Sequence, residues 1–260
     1  MEYGCIGKKL GHSFSKIVHN QLADYPYELV ELPPEALDGF MRRADFKAIN
    51  VTIPYKEAVI PYLDEVSDTA RQIGAVNTIV RREGRLYGYN TDMAGMTALL
   101  RRQGVSLTGK KVLVTGSGGT SKTAVATARA LGAAQVVRLS RTAREDAVTY
   151  ADAPRLHGDA QALINTTPCG MYPHLGAMAL ELDDYPALTS VTDAVYNPLR
   201  PALVVQALER GIPAAGGLYM LVAQAAAAAE RFIGRAAAEE EIERIYRGLL
   251  REKRTAVLIG

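Results

Sequence analysis

The chain has 260 residues, 48% of them hydrophobic and 22% charged, with 30 basic and 28 acidic side chains and a formal net charge of +2. This composition excludes wholesale disorder, and the nearly balanced charge gives no electrostatic footprint for nucleic acid. Two distant cysteines, Cys5 and Cys169, do not suit a disulfide scaffold or a structural zinc site. Because no apolar segment is long enough for a membrane span and the amino terminus lacks a signal-like segment, we expect a cytoplasmic protein. The length predicts two domains.

The first ninety residues alternate short apolar runs with helical patterns. The elements predicted there are strands at 3–6, 27–32 and 48–53 and helices at 15–25 and 34–43. Further strands at 76–82 and 85–89 flank Glu83-Gly84, which indicates a hairpin. Because strands and helices alternate, the pattern favours a mostly parallel sheet covered by helices.

A helix at 93–103 leads to the polar segment 107–110, after which a second alternating unit begins. The elements predicted there are strands at 110–114, 135–139, 163–166 and 191–196, helices at 120–131 and 201–210, and tail helices at 218–232 and 236–252. The apolar faces of the tail helices lack a partner of their own, so we expect them to pack on earlier elements.

A glycine-rich loop, Gly116-Ser117-Gly118-Gly119, lies between the strand at 110–114 and the helix that starts at Thr120. Glycines permit a tight turn and close approach of the backbone, and a helix amino terminus attracts phosphate. The dinucleotide pattern is incomplete because Ser121 occupies its third small position, and a simple strand-to-helix turn is the alternative. The flanking strand and helix favour a phosphate-binding loop.

The next strand ends in Ser140-Arg141-Thr142-Ala143-Arg144, where an NAD site usually places an acidic residue. Guanidinium groups and hydroxyls bind a 2′-phosphate, which an acid would repel. A solvated arginine pair on a surface turn is the alternative. Together with the glycine loop, this segment predicts NADP rather than NAD.

Small polar side chains follow several predicted strands, where open α/β sheets bind their ligands. Ser13 and Ser15 stand at a helix start, where a hydroxyl either caps the helix or helps to bind a carboxylate. Asn50 and Thr52 lie on one face of the strand at 48–53, and Lys56 follows.

Two more polar residues, Asn77 and Asp92, stand at element ends, where each is also explained as a turn residue. Their common placement at strand ends, with that of Asn50 and Thr52, indicates a ligand site.

Several of these segments together resemble the shikimate dehydrogenase family, in the right order and over nearly the whole chain. The matching segments are Gly11-His12-Ser13-Phe14-Ser15, Asn50-Val51-Thr52-Ile53-Pro54-Tyr55-Lys56, Gly74-Ala75-Val76-Asn77-Thr78, Asn90-Thr91-Asp92, the glycine loop, Tyr196-Asn197-Pro198-Leu199 and Met220-Leu221-Val222-Ala223-Gln224. The resemblance implies an α/β fold with a cleft between an N-terminal α/β substrate domain and a doubly wound, Rossmann-like NADP-binding domain. Residues 1–92, completed by C-terminal helices in 217–260, would form the former and residues 93–216 the latter.

The resemblance further implies reversible, NADPH-dependent reduction of 3-dehydroshikimate to shikimate in aromatic amino-acid biosynthesis. It assigns the substrate carboxylate to Ser13, Ser15 and Tyr196, and the ring hydroxyls to Thr52, Asn77, Asp92 and Gln224 with Asn50 in support. Lys56, positioned by Asp92, would exchange the proton at the reacting oxygen. Ala194 and Gly217 would lie near the nicotinamide. The cofactor residues would be Gly116, Ser117, Gly118, Gly119, Thr120, Ser140, Arg141, Thr142 and Arg144, and no metal would be needed.

One departure from the family is the short segment 142–165, which leaves no room for the usual crossover helix plus strand. We expect an abbreviated connection with a short strand at 148–150. Two alternatives stay open: a quinate or dual quinate/shikimate dehydrogenase, and a non-catalytic sensor, against which the presence of Lys56 and Asp92 argues. The implied partner is a small-molecule substrate, without nucleic acid or membrane, for a monomer or a homodimer.

Overall fold

A computed structural model describes the backbone of residues 1–11 and 14–259 and the side chains of 1–11 and 14–252. The chain divides into two compact units, Met1–Gly95 with Val222–Gly260 and Met96–Leu221. Within the described residues, no helix is long and apolar enough to cross a bilayer. The division into a substrate-binding domain of residues 1–92 and 217–260 and an NADP-binding domain of residues 93–216 stays a prediction.

The elements alternate along the chain as the apolar patterning indicates. The strands and α-helices of residues 3–102 are β1 (Tyr3–Gly7), α1 (Ser15–Leu22), β2 (Tyr27–Glu31), α2 (Leu37–Arg43), β3 (Ala48–Val51), β4 (Glu65–Val66), α3 (Asp68–Ile73), β5 (Thr78–Arg82), β6 (Arg85–Tyr89) and α4 (Asp92–Arg102). They continue as β7 (Lys111–Thr115), α5 (Gly119–Ala130), β8 (Gln135–Ser140), β9 (Val148–Thr149), α6 (Ala153–His157), β10 (Ala162–Asn165), β11 (Ser190–Asp193), α7 (Ala202–Glu209), β12 (Ala214–Ala215), α8 (Leu218–Ile233) and α9 (Glu239–Ile259).

The first unit is built on a six-stranded sheet with the order β2-β1-β3-β5-β6-β4. Strand β1 pairs parallel with β2 and β3, whereas β5 runs antiparallel to both β3 and β6. The turn between β5 and β6 has positive φ at Glu83 (51°) and Gly84 (80°), as a tight hairpin turn requires. The hairpin prediction is confirmed, and it places the ends of β3, β5 and β6 next to one another.

Strand β3 ends two residues earlier than the sequence predicts, and this correction matters for the site. The amide of Thr52 still bonds the carbonyl of Ile6, but Ile53 is 68% exposed. Pro54 has no amide hydrogen to continue the ladder, and the amide of Tyr55 instead bonds back to the Thr52 carbonyl. The chain therefore turns at residues 52–55, directly before Lys56.

The tail of the chain belongs to the first unit. Phe232, near the end of α8, packs beside Tyr3 and Tyr25, and Ile245 and Leu249 of α9 are fully buried. The tail helices thus bury their apolar faces on elements formed much earlier in the chain, as expected.

The second unit is a doubly wound parallel sheet with the order β12-β11-β10-β7-β8-β9. The chain starts in the middle at β7, winds outward to β9, and returns to β10 on the other side. This reversal between β7 and β10 is the topological switch point at which such folds bind ligands. The predicted doubly wound fold is confirmed.

The connection from β8 to β10 is abbreviated, as the sequence predicts. It contains the two-residue strand β9 and, contrary to the expectation that a helix plus a strand would not fit, the five-residue helix α6. Ala153 of α6 and Leu163 of β10 belong to the same buried core, so even this single turn of helix covers part of the sheet.

Candidate active site

The polar residues at the ends of β3, β5 and β6 are brought together by the register of the sheet. Asn50 lies opposite Thr78, and the amide of Asn77 bonds the carbonyl of Tyr89 at 3.1 Å. The chain then turns, held by Asn90, whose Nδ2 donates to the Ala75 carbonyl and whose Oδ1 accepts from the amide of Met93. Helix α4 therefore begins with Asp92 beside the start of β5.

Lys56 and Asp92 form an ion pair with 2.6 Å between Nζ and Oδ2. Their side chains are only 12% and 8% exposed. The carbonyl of Lys56 accepts from the amide of Val76 at 2.7 Å, which ties the turn after β3 to the segment before β5. A charge pair that excludes most of the surrounding water interacts more strongly than one on the surface. An ammonium group held in this way can donate a proton to, or stabilise charge on, a nearby oxygen.

Asn77 is the centre of the hydrogen bonds around this pair. Its Nδ2 donates to Asp92 Oδ1 at 2.9 Å, to Thr91 Oγ1 at 3.0 Å and to Gln224 Oε1 on α8 at 3.5 Å. Four of the residues that the sequence singled out, from segments far apart in the chain, thus lie in one cluster: Lys56, Asn77, Asp92 and Gln224.

Other predicted substrate residues occupy the following places. Asn50 is buried on β3 and donates through Nδ2 to the Asn77 carbonyl and to Thr78 Oγ1. Thr52 is half-buried directly after β3, and Ser15 is the first residue of α1. Ser13 lies outside the described residues. Tyr196 is half-buried in the second unit, in the loop that follows β11.

The glycine loop follows β7 at the switch point of the second sheet. Gly116 has φ 109°, and a Cβ there would lie 2.7 Å from Thr166 Oγ1. Gly118 precedes the first turn of α5, and a Cβ on it would meet nothing within 4 Å. Ser121, which breaks the dinucleotide pattern, is buried and donates from Oγ to the Gly116 carbonyl at 2.7 Å. Ser121 thus links the first turn of α5, which begins at Gly119, to the start of the loop. The space beside Gly118 is open.

The end of β8 presents the arginine-containing turn. Ser140 is buried and donates from Oγ to the Thr142 carbonyl, while Arg141 and Arg144 are exposed. An ion pair between Arg138 and Asp146 anchors the turn on the sheet. Two exposed guanidinium groups and the amino terminus of a helix that follows a glycine loop are donor groups that suit a phosphorylated dinucleotide, so the residues fit NADP.

Gly217 and Ala194 lie against each other in the second unit. A Cβ on Gly217 would approach the Ala194 carbonyl oxygen to 2.2 Å, and the amide of Gly217 bonds the carbonyl of Val195 at 2.8 Å. Only glycine fits at this position without displacing the backbone of the neighbouring loop.

Asp193 is a buried residue of this region that the sequence motifs missed. Its Oδ1 accepts from the amide of Val195 and from Asn165 Nδ2, each at 2.9 Å, and Asn165 Oδ1 accepts from Thr115 Oγ1 at 2.6 Å. Burial raises the pKa of Asp193 to about 7, and the hydrogen bonds from Val195 and Asn165 oppose this rise. The signal in the sequence is an acidic residue within the strand predicted at 191–196. The network joins the last residues of β7, β10 and β11.

Among the side chains that the structure describes, no three His, Cys, Asp or Glu residues lie together as a metal site would need. Cys5 is buried and Cys169 half-buried, and neither forms a disulfide.

Comparison with known proteins gives a consistent result. The family profile described as the shikimate dehydrogenase substrate binding domain matches residues 5–79. A shikimate dehydrogenase (NADP(+)) of Clostridium perfringens is 35% identical, over 95% of this chain and 97% of its own length.

Solved structures agree with the sequence comparison. The fold is similar to shikimate dehydrogenase 1 of Peptoclostridium difficile, with a TM-score of 0.89 and 30% identity over 97% of this chain and 99% of that one. It is also similar to the shikimate 5-dehydrogenase of Thermus thermophilus solved with NADP(H) and shikimate, with a TM-score of 0.84 and 31% identity over 95% and 98% of the two chains.

Proposed function

Because this chain belongs to the shikimate dehydrogenase family, a family of oxidoreductases that act on a CH–OH group, we propose that it interconverts shikimate and 3-dehydroshikimate with NADP. The observation that carries the proposal is the shielded Lys56–Asp92 pair, which lies within one hydrogen-bonded cluster with Asn77 and Gln224. Such a cluster offers a proton donor and several groups that can bond ring hydroxyls.

Lys56 is the residue that moves the proton. When bound, NADPH supplies a hydride to the carbonyl carbon, and NADP⁺ accepts one in the opposite direction. Charge that develops on the carbonyl oxygen is stabilised by the Lys56 ammonium, which then donates its proton to that oxygen. In the oxidation of shikimate, neutral Lys56 takes the hydroxyl proton. Asp92 holds Nζ in position through Oδ2.

The remaining polar residues bind and orient the substrate. The proposed ligands of the ring hydroxyls are Thr52, Asn77, Asp92 and Gln224, with Asn50 in support, and those of the carboxylate are Ser13, Ser15 and Tyr196. Side-chain amides both donate to and accept from hydroxyl groups, and carboxylates accept from them, each in fixed directions. Orientation of this kind is where a large part of the rate enhancement arises.

The second unit holds the cofactor in this proposal. The residues assigned to its phosphates are Gly116, Ser117, Gly118, Gly119 and Thr120, those assigned to the 2′-phosphate region are Ser140, Arg141, Thr142 and Arg144, and those assigned to the nicotinamide are Ala194 and Gly217. The open space beside Gly118 and the exposed arginines support these assignments. A cytoplasmic monomer or homodimer belongs to the same proposal.

Steady-state kinetics with shikimate or quinate, each paired with NADP or NAD, tests the function. We expect the highest kcat/KM for shikimate with NADP. The catalytic role is tested with Lys56→Met, which should lower kcat by roughly 10²–10⁴-fold, the usual contribution of a positioned acid–base group.

The matched control is Lys47→Met, because Lys47 is an exposed lysine of the same unit that pairs with Glu2 on the surface. Its removal should leave kcat unchanged. If no substrate and cofactor combination is turned over, the proposed activity is wrong. If the two lysine variants behave alike in an active enzyme, the role of Lys56 is wrong.

A further inference from the structure

We propose that Tyr27, a residue outside every motif of the sequence, is a positioning residue for the Lys56–Asp92 pair and acts through Asn50. This inference rests on the proposed function. It follows from the direction of a chain of buried hydrogen bonds that starts at the Tyr27 hydroxyl and ends at the Asp92 carboxylate.

The first link is the bond from Tyr27 to Asn50. Tyr27 opens β2, is 2% exposed, and donates from its hydroxyl to Asn50 Oδ1 at 2.7 Å. Its ring is stacked on the imidazole of His19, with 4.1 Å between centroids and 9° between planes. Burial raises the pKa of Tyr27 well above its usual value, so the phenol keeps its hydrogen and remains a donor.

The second link continues the first in the same donor-to-acceptor direction. An asparagine amide has one acceptor end and one donor end, and the acceptor end of Asn50 is taken by Tyr27. Its Nδ2 therefore faces the Asn77 carbonyl at 3.3 Å and Thr78 Oγ1 at 3.2 Å, and both of these are oxygens. A flipped amide would set Oδ1 against the Asn77 carbonyl oxygen, which can only accept, so Nδ2 stays on that side and Oδ1 is left to accept from Tyr27.

The remaining hydrogen bonds run from donor to acceptor in the same direction, up to the ion pair. Because Thr78 Oγ1 accepts from Asn50, its own hydrogen is available to Asn77 Oδ1 at 3.1 Å. Asn77 Oδ1 also accepts the amide of Thr91 at 2.7 Å, so Nδ2 is the end that meets Asp92 Oδ1. The other carboxylate oxygen holds Lys56. Buried hydrogen bonds arranged donor to acceptor reinforce one another.

The same aromatic cluster contains a second tyrosine that provides a matched control. Tyr25 is also largely buried, but its hydroxyl bonds Nδ1 of His19 at 2.7 Å rather than Asn50. Removing the Tyr25 hydroxyl deletes the same kind of group from the same aromatic cluster, while the bond from Tyr27 to Asn50 stays in place. Loss of stability and loss of positioning can therefore be separated.

The experiment measures shikimate oxidation at saturating NADP, together with the thermal unfolding midpoint, for four variants: Tyr27→Phe, Tyr25→Phe, Asn50→Ala and the Tyr27→Phe/Asn50→Ala double variant. We expect Tyr27→Phe to lower kcat about tenfold, the factor that corresponds to one buried hydrogen bond, with the KM for shikimate changed less than about twofold. Tyr25→Phe should lower the unfolding midpoint without changing kcat. In the Asn50→Ala background, Tyr27→Phe should have no further effect on kcat, because the residue through which it acts is gone.

Three results would overturn the role of Tyr27 in an active enzyme: an unchanged kcat in Tyr27→Phe, an equal loss of kcat in Tyr25→Phe, or a full additional loss in the Asn50→Ala background. A wild-type protein that oxidises no shikimate with NADP would instead refute the proposed function. The two failures are thus distinguished by the wild-type rate.

Discussion

Acidification should weaken the contribution of buried His19 to the stability of this protein. The side chain is fully buried, and Nδ1 bonds the Tyr25 hydroxyl at 2.7 Å, while Nε2 has no hydrogen-bond partner among the described residues. Burial lowers the pKa of His19 from 6.5 to about 3, and the neighbouring Asn50 side chain opposes this to a smaller extent. The native state therefore keeps the imidazole neutral over a pH range in which the unfolded chain protonates it.

The sign and size follow from proton linkage. Between pH 6.5 and 3 the unfolded state binds one more proton than the native state, so the free energy of unfolding falls as the pH falls. The contribution of the neutral His19 imidazole to the free energy of unfolding is fully present above pH 6.5, and about 2 kcal/mol of it is lost between pH 7 and pH 5. This is a large share of the stability of an ordinary domain.

Urea unfolding followed by circular dichroism at pH 7, 6 and 5 measures the effect in the wild type and in His19→Phe. Phenylalanine keeps an aromatic ring against Tyr27 but cannot titrate, so the variant should lack this part of the pH dependence, whatever its stability at pH 7. His174→Gln, a change at an exposed histidine, is the control and should follow the wild type. Parallel pH dependences for the wild type and His19→Phe would refute the reasoning.

Three further predictions concern the second unit. Asp193→Asn should remove a pH dependence of the opposite sign. The native carboxyl, with its pKa raised to about 7, holds a proton that the unfolded chain releases above about pH 4. In the same urea experiment, the free energy of unfolding of the wild type should therefore fall by about 2 kcal/mol relative to this variant between pH 5 and pH 7. Gly217→Ala should weaken NADP binding, measured by calorimetry, because the new Cβ would displace the Ala194 carbonyl; unchanged affinity would contradict this. Arg141→Ala with Arg144→Ala should raise the KM for NADP roughly tenfold or more and leave that for NAD unchanged, since one charge-assisted hydrogen bond is worth about 1.5–3 kcal/mol; equal effects on both cofactors would exclude a role at the 2′-phosphate.

Local patterns in the chain were sufficient for much of the fold. Alternation of short apolar runs with helical segments predicted both sheets, and Glu83-Gly84 predicted the hairpin that aligns β5 with β6. The glycine loop predicted the turn after β7, because only a few residues around one strand end determine that geometry. Such features depend on backbone preferences within about ten residues, which a single sequence expresses directly.

Element ends were less predictable from the chain. Strand β3 stops at Val51 rather than Ile53, and α5 starts at Gly119 rather than Thr120. The five-residue helix α6 was not expected at all. Each of these ends is decided by which carbonyl or core surface is within reach, such as the Thr52 carbonyl that captures the amide of Tyr55.

The sequence by itself determined the alternation of strands and helices and the cofactor class, and its motifs determined the family, whose resemblance implied the doubly wound fold. Periodicity, glycine placement and ordered segments are properties of the linear chain. The family resemblance implied that Asp92 positions Lys56, but only the tertiary structure gave their 2.6 Å contact and decided that Tyr27 bonds Asn50. These contacts join residues 36 and 23 positions apart through the pairing of β1, β2, β3 and β5. The direction of a hydrogen bond depends on which donor faces which acceptor after the sheet has formed, and no periodicity of the sequence encodes that choice.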